Sequence, residues 1–142
     1  MAEALTDSGF DLLTGGTDTH LLQLDLRSSV WTGQAAELRL AEIGITVNRN
    51  TVPFDERPPS IASGVRPGTP AVTIRGFTED DTREVGAIIV EALAAGALDT
   101  EALRWRVERP LRAPAALPRL LRMHTLRHRR GELKRARQRF PA

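Results

Sequence analysis

The sequence predicts an α+β domain, a small antiparallel or mixed sheet with helices packed on one face, followed by a basic C-terminal tail. Three observations carry this reading. Short alternating runs such as HLLQLDL have the period of strands, while residues 32–43 and 78–96 have the period of helices. The two kinds of element do not alternate in the regular βαβ order of a parallel sheet. Charge then divides the chain. Residues 110–142 hold ten Lys or Arg and one acid, whereas residues 1–109 hold ten arginines and seventeen acids. The division sets a domain over 1–109 and a basic, arginine-rich tail, partly disordered or helical, over 110–142.

Residues 2–7 read as the last turns of a helix closed by Gly9. FDLLT and HLLQLDL read as two strands around a GGTD turn, with Leu22, Leu24 and Leu26 on one face. Thr32 is an N-cap for a helix running to Ile43, whose Ala36, Leu40 and Ile43 share a face, and Gly44 ends it. ITVN reads as a short strand. Residues 53–70 are rich in proline and glycine and read as a long irregular loop. AVTIR reads as a further strand. Thr78 caps the strongest helix, with Glu79, Asp80 and Asp81 where the macrodipole favours acids. Val85, Ile88, Ile89, Ala92 and Leu93 form its apolar stripe, and Gly96 closes it. A shorter helix starts near Thr100 and stops at Pro110. In the tail, a helix from about Leu117 fits the spacing.

A chain of 142 residues is one ordinary domain. It has no cysteine, which excludes a disulfide framework, a thiolate metal site and a cysteine nucleophile. That composition fits a cytoplasmic location. MAEALTDSG lacks the basic start and apolar run of a secretory signal. AIIVEALAAGAL is interrupted by Glu91 and is too short to span a membrane, so no membrane partner is expected. No GxGxxG or Walker loop occurs, and no nucleophile elbow surrounds a serine.

Four features carry chemistry. SGVRPGTPA, residues 63–71, crowds two glycines and two prolines around Arg66. A planar guanidinium in a shaped turn can clamp a carboxylate or phosphate by paired hydrogen bonds. The same residues also fit a surface turn whose arginine pairs with a neighbouring acid. TDTH sets Asp18 and His20 on one side of an extended segment, as a proton relay or as a structural hydrogen bond at a strand start. His124 and His128 are four apart, as helical metal ligands can be. No carboxylate or cysteine completes the set, so a solvated basic face fits better and no metal is expected. The tail has the charge to engage nucleic acid or an acidic membrane surface, but Phe140 is its one aromatic, so base stacking is poorly served. A disordered or poorly folded extension fits the same residues.

Taken together, TGGTDTHLLQLDLR, GITVNRNTVPFDERPP and SGVRPGTPAVTIRGF resemble the C-terminal part of serine hydroxymethyltransferase, over about residues 1–106. The family shows GGTDNH before an aliphatic strand, a GI-x-x-N-K-N-x-(I/V)-P-x-D segment, and SG(I/V)R-(I/V/L)-GTPA. The resemblance implies the small domain of a fold-type I, pyridoxal-phosphate enzyme that converts serine and tetrahydrofolate to glycine and 5,10-methylenetetrahydrofolate. It implies that Arg66 binds the substrate carboxylate and that Asn50 lies at the folate site. Arg49 stands where the family has lysine. Pro67 replaces an aliphatic residue and removes one backbone donor beside the clamp. The family's Schiff-base lysine lies in the large domain. The one lysine here, Lys134, sits in the tail without that context. The resemblance therefore implies a chain inactive alone, a remnant small domain or the small subunit of a split enzyme. Its partner would be a large-domain chain or a full-length homologue. A non-catalytic binding module using residues 110–142 is the other reading.

Overall fold

The computed structural model describes residues 1–94, 96 and 99–112; the tail beyond, with His124, His128 and Lys134, lies outside the described residues. Five helices, α1 (Ala2–Asp7), α2 (Gly33–Glu42), α3 (Pro70–Ile74), α4 (Glu79–Leu93) and α5 (Thr100–Arg112), accompany four strands. The strands are β1 (Asp11–Leu12), β2 (Leu24–Asp25), β3 (Asn48–Asn50) and β4 (Gly64–Arg66). They form one antiparallel sheet in the order β1-β2-β4-β3. The fold is α+β, and the sheet is wholly antiparallel rather than mixed.

The core lies between the helices and one sheet face. Leu24 and Val65 from the sheet meet Leu40 and Ile43 at α2, Ile88 and Ile89 of α4, and Leu103 of α5, each 1% exposed or less. Burying one such side chain stabilises by roughly 1.5–3 kcal/mol. α1 packs on α4 at Gly86, where an added Cβ would stand 3.0 Å from Ala4 Cβ.

The helix starts follow their caps. Thr32 Oγ1 accepts from Ala35 N, and α4 has a full capping box between Thr78 and Asp81. These hydrogen bonds from Thr78 hold the Asp81 carboxyl below its ordinary range. At the far end of α4, Trp31 Nε1 donates to Leu93 O at 2.7 Å and Arg39 Nε to Ala92 O at 3.3 Å, so side chains from the α2 region satisfy carbonyls that the helix leaves open.

Four expectations are corrected. AVTIR is not a strand: Pro70 opens α3, Thr73 Oγ1 bonds back to Thr69 O at 2.9 Å, and Ile74 is 77% exposed. A short apolar alternation cannot separate strand from helical turn, and proline suits the first helical position. The strand expected at ITVN starts only at Asn48, although Val47 still turns into the core. The Pro/Gly-rich loop contains β4, an interior strand. Finally, α5 runs to Arg112 rather than stopping at Pro110. A proline removes one intrahelical bond, and this one enters in the last turn.

Candidate functional site

The sheet has two unlike faces because side chains alternate along each strand. Leu12, Leu24 and Val65 face the helices, and so does Arg49, which is paired with Val65. Its guanidinium reaches Glu37 of α2, with Nε 3.5 Å from Oε2. Asp25, Asn48, Asn50, Gly64 and Arg66 fall on the opposite face. The register pairs Asn48 with Arg66 and Asn50 with Gly64. Arg66 and Asn50 are thus diagonal neighbours on one face, about 7–8 Å apart along the backbone.

Arg66 is half-buried and lines a cleft of about 540 Å³ with Thr14, Gly16, Thr17, Asp18, Thr19 and Gln23. Among the described residues its guanidinium has no hydrogen bond within 3.5 Å and no carboxylate within 4.0 Å. The alternative of a turn arginine paired to a neighbouring acid is therefore not what forms. Five other arginines, at positions 27, 39, 49, 83 and 106, do sit in ion pairs.

The cleft exists because two distant turns are joined. Leu22 N donates to Pro67 O at 3.1 Å, Leu21 and Gly68 form a β-bridge, and Thr69 N donates to His20 O at 3.0 Å. Pro67 supplies only the carbonyl of its pair with Leu22, yet it is buried and the ladder continues past it. His20 contributes its backbone to this seam. Neither a relay nor a structural hydrogen bond joins it to Asp18 among the described residues. The turn itself is held by Thr17 and Thr19, whose hydroxyls lie 3.1 Å apart.

The loop from 51 to 63 joins β3 to β4 and brings Val52 close to Gly64. An added Cβ at Gly64 would stand 2.6 Å from Leu24 O, 3.0 Å from Val52 Cγ1 and 3.1 Å from Asn50 O, so no larger residue fits. Asp55 organises this loop. Its carboxylate accepts from Val52 N (3.2 Å), Arg57 N (3.0 Å), Ser63 N (2.8 Å) and Ser63 Oγ (2.6 Å). These hydrogen bonds, the Ser63 hydroxyl first, lower its pKa to about 2. Ser63 is 2% exposed and also receives Arg57 Nη1 at 3.2 Å. Asn50 is half-buried, and its Nδ2 donates to Thr51 O at 3.3 Å.

Asp55 and Ser63 were not singled out from sequence. Asp55 bonding the amide two residues on is a local Asx-turn that a sequence can suggest. Its bond to Ser63 spans eight residues and has no local signature. No helix among the described residues is long and apolar enough to cross a membrane, and no group of three His, Asp or Glu among them could hold a metal.

The fold is an α+β layer in which Arg66, unpaired among the described residues, lines a cleft. The chain belongs to the serine hydroxymethyltransferase family, whose family model matches residues 1–89. It is 57% identical over 113 residues to the serine hydroxymethyltransferase of Leifsonia xyli subsp. xyli, covering 76% of this chain and 26% of that one. With the Bifidobacterium adolescentis protein of the same name it shares 52% over 109 residues, covering 77% and 25%. With serine hydroxymethyltransferase 1 of Mycobacterium bovis it shares 51% over 114 residues, covering 80% and 27%. The chain thus spans about a quarter of the length of the curated relatives it matches.

Proposed function

We propose that residues 1–109 are the small, carboxylate-binding layer of a serine hydroxymethyltransferase. Arg66 grips the amino-acid carboxylate and Asn50 contacts tetrahydrofolate. The observation that carries this reading is the unpaired Arg66 guanidinium at the cleft. A carboxylate is the natural complement of that planar fork, and a strand-held base keeps its geometry fixed.

Pyridoxal phosphate does not fit the described residues. Schiff-base anchoring needs an amine, and the cleft offers a guanidinium, three threonine hydroxyls and a carboxylate. No lysine lies among residues 1–133, and Lys134 falls in the tail. These residues bind and orient a substrate carboxylate. Proton and carbon transfer belong to a lysine-bearing partner, either a separate large-domain chain or a full-length homologue. The chain by itself does not catalyse.

Mixing the chain with pyridoxal phosphate and glycine should give no new visible absorbance. Adding an isolated large domain of a relative should restore serine-to-glycine conversion, and Arg66→Ala should abolish that restoration. Absorbance from the chain alone would overturn its inactivity. Restoration that survives Arg66→Ala would overturn the clamp.

A further inference from the structure

We propose that Asp55 is a positioning residue: its one carboxylate fixes both ends of the loop between β3 and β4 and so sets where Asn50 stands relative to Arg66. The inference rests on the reading of Arg66 as a carboxylate clamp, and it adds a residue to which that reading gives no part.

The geometry is specific. Val52 follows Asn50 by two residues, and Ser63 precedes Arg66 by three. Asp55 Oδ2 accepts from both the Val52 and the Ser63 amides, at 3.2 and 2.8 Å. Oδ1 takes the Ser63 hydroxyl and the Arg57 amide. A single anion thus bridges the exit of one strand and the entry of the next. Other groups hold only one end each. Gln23 Nε2 and Arg27 Nη1 bond Thr51 O and Pro53 O. On the other side, the amides of Gly33 and Gln34, at the start of α2, bond the carbonyls of Ala62 and Ile61. Among the described residues, only Asp55 joins the two ends through one side chain.

The alternative assignment, a loop brace without influence on the ligand groups, is weaker for two reasons. Ser63 is a buried polar residue placed one position before β4, so its hydrogen bonds act directly on the strand that carries Arg66. Phe54 and Ala62 also hold positive φ angles of 58° and 54° within this loop. Such backbone persists only where its surroundings over-determine it, and Asp55 lies beside the first while its partner Ser63 lies beside the second.

The test uses the full ¹⁵N-labelled chain. Glycine is titrated against the Arg66 Nε–Hε resonance, identified by its loss in Arg66→Lys, and backbone amide exchange is measured at residues 50–52 and 63–66. Asp55→Asn, which keeps shape and removes charge, and Ser63→Ala should each weaken glycine binding at least tenfold. Exchange at both strand ends should rise at least tenfold while α4 stays protected. Thr78→Ala weakens α4 far from the loop and should leave glycine affinity unchanged, which separates positioning from general loss of stability. Unaltered exchange at 50–52 and 63–66 in Asp55→Asn would overturn the inference whether or not glycine binds. Wild-type chain that ignores glycine, with exchange still responding to Asp55→Asn, would overturn the clamp and leave the loop device standing.

Discussion

Gly64→Ala is the sharpest test of how the site is built. The new Cβ would face two backbone carbonyls, Leu24 O at 2.6 Å and Asn50 O at 3.1 Å, and Val52 Cγ1 at 3.0 Å. Those carbonyls belong to the strands on either side of β4, so neither can move without breaking ladder bonds. Gly64 is also confined through its own carbonyl, since a Cβ added at Gly33 would stand 2.5 Å from Gly64 O. Overpacking against side chains costs about 1–3 kcal/mol. Against fixed backbone on both flanks the upper end applies, about 3 kcal/mol. For a domain of this size each kilocalorie lowers the Tm by roughly 4–8 °C, so a fall of about 12–24 °C is expected in a thermal melt followed by far-UV circular dichroism. Gly16→Ala is the control, since nothing lies within 4 Å of a Cβ there. A Gly64→Ala melt within about 2 °C of wild type would refute the claim that three strands close around this position.

Three further outcomes follow from the same contacts. Thr78→Ala removes half of the α4 capping box and should cost about 1 kcal/mol, read as a parallel shift of the urea curve without change of slope. Arg66→Ala removes a guanidinium that holds no partner in the described structure, so stability should change by less than about 0.5 kcal/mol while the glycine response is lost. Asp55 has a folded pKa near 2 against an ordinary 3.8, so its contribution is fully present above about pH 4 and is lost as pH falls toward 2. The stability gap between wild type and Asp55→Asn should therefore narrow across that window in chemical melts at successive pH values.

Most of the scaffold was legible because local signals agreed with the tertiary outcome. The alternating Leu22, Leu24 and Leu26 are all buried, although only Leu24 lies in a strand, and Thr32 and Thr78 became caps with the bonds their positions suggest. The failures have a common cause. β4 hides in a stretch whose glycines and prolines look like loop. Gly64 is there because neighbouring backbones approach it, a reason that depends on residues 24, 33 and 50. AVTIR alternates as a strand does, but Pro70 suits the first helical position and the segment folds into a helical turn. Arg66 stands out as a candidate anion ligand from its turn, and Asn50 as a candidate folate contact from the family motif. Their shared sheet face follows from the β3–β4 register, and the Asp55–Ser63 bond that braces it is non-local.

The pairing of α1 with α4 has a kinetic consequence. Their contact joins residues 2–7 to residues 79–93, and β2 meets β4 across some forty positions. Little of this domain can be completed locally, so its folding belongs with the slower, high-contact-order mixed topologies. During synthesis α1 can meet β1 early, but its packing on α4 waits until residues 79–93 have emerged. Until then Leu5, Leu24 and Leu40 lack Ile88 and Ile89 as cover. A nascent chain paused between β4 and residue 93 therefore presents a sticky, half-covered sheet, which α4 covers when it docks on α1 and α2.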